Sequence, residues 1–301
     1  MYRKFGKNGE LDMKIVVASG KGGVGKSMLA STIALMYSKK KKIVACDCDV
    51  DAPNLGLWLG ITEYEFREKI STSEKAFIIK EKCIQCGKCE KICNFKAIEK
   101  REVFEVNPFL CEGCGACELV CPTNAIKIKA VNNGEIRINK TKYEFPLISG
   151  KLYPGETGSG KIVEELKRRV EEFSYDVAIF DSPAGIGCPV IASVRGTDYA
   201  ILVTEPTPSG FSDLKRILGI VNYFQVPYGI VINKWDINAK LAKKIERLFK
   251  EKFLGKISYD KKIINSIVNL NPIIFSDSKV VEEIKEIFEK LEKKLKELTT
   301  T

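Results

Sequence analysis

The chain has 301 residues, of which 45% are apolar, 29% charged and none histidine. That length accommodates one large α/β domain and a small companion. Without imidazole, every base or metal ligand must come from carboxylates, lysines or the 11 cysteines. No charged–apolar–small leader and no run of about 18 uncharged apolar residues occurs, so a cytoplasmic chain without a transmembrane segment is expected. In that setting the cysteines point to metal ligation before disulfides. The formal net charge of +10 comes with Lys and Glu interspersed, so nucleic acid is not the expected partner. The densest basic run, residues 39–42, falls at the C-terminal end of the first expected helix, where cations complement the helix dipole.

In chain order, residues 1–12 are polar and read as a tail with no assigned function. Residues 14–19 (KIVVAS) are a short apolar run, the pattern of a buried parallel strand. Gly20-Lys21-Gly22-Gly23-Val24-Gly25-Lys26-Ser27 follows, and residues 28–38 have helical spacing. A G-x-x-x-x-G-K-[ST] sequence between strand and helix is a phosphate-binding loop. Its glycines let backbone N–H groups form a nest, and the helix N-terminus adds its dipole. In such a loop Lys26 reaches the β/γ-phosphates and the Ser27 hydroxyl ligates Mg²⁺. Residues 43–47 form a second strand ending in Asp47-Cys48-Asp49, with Cys46 and Cys48 read as core thiols.

Beyond Gly60 the pattern weakens until the cysteines begin. Cys83-x-x-Cys86-x-x-Cys89-x-x-x-Cys93 and Cys111-x-x-Cys114-x-x-Cys117-x-x-x-Cys121-Pro122 repeat the bacterial ferredoxin spacing twice. In that pattern three close cysteines hold three corners of a cubane and the fourth serves the other cluster. One [4Fe–4S] cluster is therefore expected on Cys83, Cys86, Cys89 and Cys121, and the second on Cys111, Cys114, Cys117 and Cys93. Zinc is the alternative for paired C-x-x-C, and the fourth-cysteine spacing disfavours it. Two clusters at roughly −2 each would lower the net charge to roughly +6. Gly87, Gly113 and Gly115 let backbone approach the sulfides, and Asn94 replaces the usual proline. So short a segment buries too little core to stand alone, so the clusters are expected to hold it folded.

Gly155-Glu156-Thr157-Gly158-Ser159-Gly160-Lys161 also spells G-x-x-x-x-G-K, but Ile162 takes the hydroxyl position and no clean strand precedes it. Ser159 is read instead as the cap of a helix over 161–173. A strand at 177–181 ends in Asp181, and a further strand covers 199–204. Helix 212–223, strand 229–233 and helix 239–250 continue the alternation. Asn233-Lys234-Trp235-Asp236 matches N-K-x-D, which reads guanine in GTPases. A last helix, 278–298, carries Ile284, Phe288, Leu291, Leu295 and Leu298 at helical spacing and is expected to pack on the sheet. The fold class is α/β: a P-loop NTPase domain over 13–75 and 131–301, its mostly parallel sheet covered by helices on both faces. An α+β ferredoxin-type domain is expected as an insertion over 76–130.

K-G-G-V-G-K-S, with its additional Lys21, resembles the deviant Walker motif of the MinD/ParA-like ATPases, which include the nitrogenase iron protein and the Mrp-type iron–sulfur carriers. The combined architecture resembles MinD-like ATPases with inserted ferredoxin domains, from Met13 over nearly the whole chain. The resemblance implies ATP and Mg²⁺ as ligands, and a nucleotide-dependent homodimer in which Lys21 reaches the partner's phosphates. It implies that Asp49 orients the attacking water within the Mg²⁺ shell and that Asp47 supports that shell, with Asp51 an alternative for either. Asp181 then holds the Mg²⁺ shell, and Ser182-Pro183-Ala184-Gly185 resembles the second switch. Asn233 stands where the family places an Asn against adenine, so ATP is favoured, with GTP the alternative. Cys188 lies seven residues after Asp181, where the nitrogenase iron protein carries one of two cluster-bridging cysteines. The other would fall near Gly158 and Ser159, and none is there, which leaves a two-thiolate site formed by Cys188 of each subunit. The leading expectation is ATP-gated electron transfer to a redox partner. The alternatives are an iron–sulfur or metal-cofactor carrier and a positioning ATPase with structural clusters.

Overall fold

The structure, a computed structural model, describes residues 12–299, so the expected tail lies outside the described residues except for Asp12. β1 (Met13–Ser19) runs through a glycine turn into α1 (Lys26–Ser38), then β2 (Ile43–Asp47) and the short α2 (Leu55–Trp58). β3 (Phe66–Ile70) precedes an excursion made of β4 (Ser73–Ile78), α3 (Lys88–Ile92), β5 (Ile98–Lys100), β6 (Phe104–Val106), α4 (Ala116–Leu119) and β7 (Ile126–Val131). β8 (Gly134–Lys140) and β9 (Pro146–Leu152) bring the chain back. Then follow α5 (Ser159–Val170), β10 (Val177–Ala184), α6 (Cys188–Val194), β11 (Tyr199–Thr204) and α7 (Pro208–Tyr223). β12 (Tyr228–Asn233), α8 (Ala239–Leu248), β13 (Phe253–Ile257), α9 (Lys261–Val268) and α10 (Val280–Thr299) complete the described chain.

Nine strands form one sheet in the order β13-β12-β11-β1-β10-β2-β9-β8-β3. It is parallel from β13 to β9 and antiparallel at the two remaining pairings. The parallel strands are buried on both faces, which is why they read as unbroken apolar runs. Ile15 and Val17 of β1 join one core with Met28, Leu29, Ile284 and Leu291 of α1 and α10. Val16 and Ala18 join the opposite core with Leu166, Leu214 and Ile245 of α5, α7 and α8.

Several elements differ from expectation for identifiable reasons. β3 lies in the stretch read as patternless, because this edge strand exposes Phe66, Arg67 and Lys69 and buries Ile70 alone. α7 begins earlier, at Pro208, because the Thr207 hydroxyl caps it by accepting from Gly210 N at 3.0 Å. Ser159 does not cap α5. The cap is Gly158, left-handed at φ 95°, with no side-chain cap bond. A strand, β9, does precede this second G-x-x-x-x-G-K turn, yet Ile162 at its hydroxyl position is fully buried in the core and offers no Mg²⁺ ligand.

The excursion forms two small antiparallel sheets separate from the large one, β4 with β7 and β5 with β6. Its two halves correspond at an offset of 28 residues. Each half has a short helix capped by a left-handed glycine, Gly87 at φ 70° and Gly115 at φ 78°. Each also has a left-handed residue before its closing strand, Lys96 and Asn124, both at φ 51°. Ala76, Ala97, Ile98, Phe104 and Ile126 form a small core that includes Cys89, Cys111 and Cys117.

Candidate nucleotide site and cysteine cradles

β1 lies between β11 and β10, and its glycine turn opens at the C-terminal edge of the sheet, where open α/β sheets bind ligands. Close approach dictates the glycines. A β-carbon on Gly20 would stand 2.1 Å from the Asp213 carbonyl oxygen, and one on Gly25 would stand 2.4 Å from Asn233 Nδ2. Gly25, at φ 92°, is also the N-cap of α1.

Asn233 is tied to the phosphate loop. Its side chain is buried, Nδ2 donates to the Val24 carbonyl at 2.8 Å, and Oδ1 accepts from Lys234 N at 2.9 Å. It braces the phosphate loop from beneath. Asp236, the last residue of the N-K-x-D match, accepts from Tyr259 N at 2.8 Å, so this carboxylate already holds backbone.

Lys26 is buried among three carboxylates. Burial lowers its pKa, and Asp181, Asp49 and Asp47 oppose that shift. Asp47 is fully buried and accepts from Asp49 N at 3.1 Å and Leu55 N at 2.9 Å. Burial, then repulsion from Asp181, raises its pKa well above the usual carboxylate range. With both oxygens engaged, Asp47 shapes the segment that carries Asp49. Asp49 accepts from Ala52 N at 3.3 Å, and burial raises its pKa against the pull of Lys26. Asp51 is exposed.

Asp181 is also fully buried, and neither carboxylate oxygen has a hydrogen-bond partner in the protein. Burial pushes its pKa up to about 7, with the neighbouring Ser27 hydroxyl and Lys26 acting to lower it. A buried carboxylate with two orphan oxygens is costly unless something completes it. Ser27, Asp49 and Asp181 supply the hard oxygen donors that fit Mg²⁺ bound with a nucleotide's phosphates.

Lys21 lies along its own subunit. Its Nζ is 2.7 Å from Glu205 Oε1 and 3.5 Å from Ser209 Oγ, and the Glu205 hydrogen bond raises its pKa. Glu205 also lies 3.5 Å from Lys234 Nζ. Sequence reasoning missed Glu205, although it follows β11 directly, and an acid at a strand end was the signal used for Asp47 and Asp181.

In the excursion, Cys83, Cys86, Cys89 and Cys121 line one hollow together with Ile78, Phe104 and Ile126. Cys93, Cys111, Cys114 and Cys117 line the other with Ala76, Ile98 and Ile128. These are the two sets that the spacing implied, each borrowing its fourth thiol from the other run. Backbone N–H groups donate to sulfur at three positions: Ala76 to Cys111 at 3.4 Å, Ala97 to Cys93 at 3.3 Å and Ala125 to Cys121 at 3.2 Å. Such donors favour thiolates. Among the described residues no three Cys, Asp or Glu side chains converge on a single-ion site. Zinc needs its four ligands on one ion, whereas a cubane spreads four thiolates over separate irons, and the cradles fit the second.

Cys188 is exposed at the start of α6, its Cβ 3.1 Å from where a β-carbon on Gly160 would stand. Cys46 and Cys48 are fully buried in the core, their sulfurs 3.7 Å apart.

A sheet of this order, with a phosphate loop after β1, Asp47 at the end of β2 and Asp181 within β10, which runs on past the expected end to Ala184, defines a P-loop nucleotide-binding ATPase. The model of the CobQ/CobB/MinD/ParA nucleotide binding domain matches residues 15–273, and the chain belongs to that family. An uncharacterised protein of Methanocaldococcus jannaschii is 43% identical over 93% of this chain and 96% of its own length. An iron–sulfur cluster carrier protein of Pyrococcus horikoshii is 26% identical over 95% of this chain and 87% of its own. Among solved structures, the septum site-determining protein MinD of Pyrococcus horikoshii, complexed with Mg-ADP, superposes with a TM-score of 0.59 at 16% identity. That match covers 93% of this chain and 95% of the other, and it speaks for the fold. Among the described residues no helix is long and apolar enough to cross a membrane.

Proposed function

We propose that this chain is a cytoplasmic ATP-gated iron–sulfur protein that passes electrons from two [4Fe–4S] clusters to a partner protein. The observation that carries the reading is the pair of complete four-thiol cradles in the same chain as a P-loop ATPase site. When bound, each cluster supplies one-electron chemistry. Cys83, Cys86, Cys89 and Cys121 hold one cluster, and Cys93, Cys111, Cys114 and Cys117 hold the other. At the nucleotide site, Lys26 and the N–H groups of Gly22, Gly23, Val24 and Gly25 bind the phosphates. Ser27, Asp49 and Asp181 hold Mg²⁺, and Asp49 orients the attacking water. Lys21 leaves Glu205 and crosses to the partner's phosphates in a nucleotide-bound homodimer.

A second reading, cluster carriage, is favoured by likeness to the iron–sulfur cluster carrier proteins of Pyrococcus horikoshii and Pyrococcus abyssi, 26% and 28% identical. Complete ligation by four thiols counts against ready release. The two readings separate in one anaerobic experiment, which follows iron and acid-labile sulfide through ATP turnover beside an apo-acceptor. Electron transfer requires about eight irons per chain, retained throughout. Net loss of iron to the acceptor supports carriage instead.

A further inference from the structure

The loop between β9 and α5, residues 153–158, touches three parts of the molecule at once. At its base, Leu152 N donates to the Val50 carbonyl at 2.8 Å, in the segment that carries Asp49. A β-carbon on Gly150 would stand 2.7 Å from Val50 Cγ1, so β9 and that segment are in close contact. At its far end, Gly160 lies against Cys188, the first residue of α6, immediately beyond the segment that follows Asp181. Lys167 of α5 then donates to the Ala192 carbonyl at 3.0 Å and to that of Arg195, fixing α5 to the C-terminal end of α6.

The third contact is the cysteine excursion. Lys75 of β4 has a side chain only 4% exposed, and its Nζ is 2.8 Å from Glu156 Oε2. The same Nζ donates to the Pro108 carbonyl, in the turn that leads to Cys111. Phe109 of that turn lies against Gly155, where a β-carbon would stand 2.5 Å from its ring. On the other side of Lys75, Ala76 N donates to Cys111 Sγ at 3.4 Å, and the Glu74 carbonyl abuts Gly113. One buried ammonium thus ties the loop to the strand and turn that shape the second cradle.

We propose that the Lys75–Glu156 ion pair is the joint through which the nucleotide site repositions the cradle of Cys93, Cys111, Cys114 and Cys117. The inference rests on the ATP-gated reading above and deepens it. Nucleotide binding rearranges the segments after Asp47 and Asp181, and these bear on the two ends of the loop, through Leu152 at the end of β9 and Gly160 at the start of α5. Lys75 carries any displacement of Glu156 to Pro108 and thence to Cys111. Lys75 borders the second cradle directly, through Ala76 N on Cys111 and through the Pro108 turn, so the response belongs to that cradle.

The test is the anaerobic EPR spectrum of the cluster-loaded, dithionite-reduced full chain, recorded with and without MgATP. It compares wild type with Lys75→Met, Glu156→Gln and Lys75→Arg, with ATP turnover measured alongside. The expected result is a nucleotide-dependent change in wild type that falls at least about five-fold in Lys75→Met and Glu156→Gln, the low end of ordinary coupling factors. Turnover stays unchanged, and Lys75→Arg, which keeps a donor to both partners, retains the response. If Lys75→Met loses iron, Glu156→Gln decides, since it leaves the Lys75–Pro108 contact in place. A full response in cluster-loaded Glu156→Gln overturns the joint and leaves ATP gating standing. Absence of any nucleotide effect in wild type overturns gating itself, and the joint with it.

Discussion

Asp181→Asn is expected to stabilise the nucleotide-free protein at neutral pH while abolishing its response to MgATP. Asp181 is fully buried with both oxygens unpartnered, and its pKa rises from 3.8 to about 7. A carboxyl whose folded pKa lies above its unfolded value binds more protons in the folded state between the two. Stability therefore falls as pH rises across that window and levels off above about 7. The full gap corresponds to ~4 kcal/mol, and because Lys26 and Asp47 readjust with it, we expect roughly 2–4 kcal/mol. Asparagine resembles the protonated acid, so the variant escapes this loss. The two proteins should be equally stable near pH 4–5, with the variant pulling ahead up to pH 8. Each kcal/mol moves the melting midpoint by roughly 2–4 °C at this size. Anaerobic melts of cluster-loaded, metal- and nucleotide-depleted protein from pH 5 to 8.5 read the difference directly. The chain has no histidine to titrate in that window. Adding MgATP should stabilise wild type and leave the variant unmoved. A pH-independent difference, or a variant less stable at pH 8, would refute the reasoning.

Other outcomes follow from the same geometry. Asn233→Ala leaves the buried Val24 carbonyl without its donor, at a cost of about 1–3 kcal/mol. Calorimetry should show ATP and GTP weakened alike if Asn233 acts as a brace, whereas loss confined to one nucleotide would support the base-reading role. Gly113→Ala places a β-carbon 2.1 Å from the Glu74 carbonyl at φ 65°, so strand β4 must shift. The expected cost is roughly 2–4 kcal/mol, read as a lowered melting midpoint with loss of iron. Cys121→Ser should remove the cluster held by Cys83, Cys86 and Cys89, and Cys93→Ser the one held by Cys111, Cys114 and Cys117. EPR of the two variants should show complementary residual signals, and identical spectra would undo the crossed assignment.

How much of this was legible in the sequence depended on how local each signal is. The phosphate loop and the parallel strands were readable because strand, glycine turn and helix are contiguous, and double-sided burial leaves unbroken apolar runs. The cradles were readable because the borrowed fourth cysteine is written into the repeat. The edge strand β3 was not, since it shows charged residues to solvent and holds Glu68 in an ion pair with Arg169, at 2.6 Å. The partners of Lys21, Lys75 and Asn233 were also hidden. Each is chosen by packing between segments far apart in the chain: Glu205, Glu156 and the Val24 carbonyl. Ser159 shows the opposite failure. A good capping residue lost its place because Gly158 could adopt the left-handed cap that the turn requires.

The central claim is that nucleotide controls electron flow out of the excursion. It is tested most directly by stopped-flow oxidation of the dithionite-reduced, cluster-loaded protein with a one-electron acceptor, with MgATP, with MgADP and without nucleotide. The account predicts that MgATP changes the oxidation rate, and that Lys26→Met, which loses the phosphate-binding amine, keeps both clusters but not that change. Equal rates under all three conditions, in protein that binds nucleotide and holds both clusters, would contradict it.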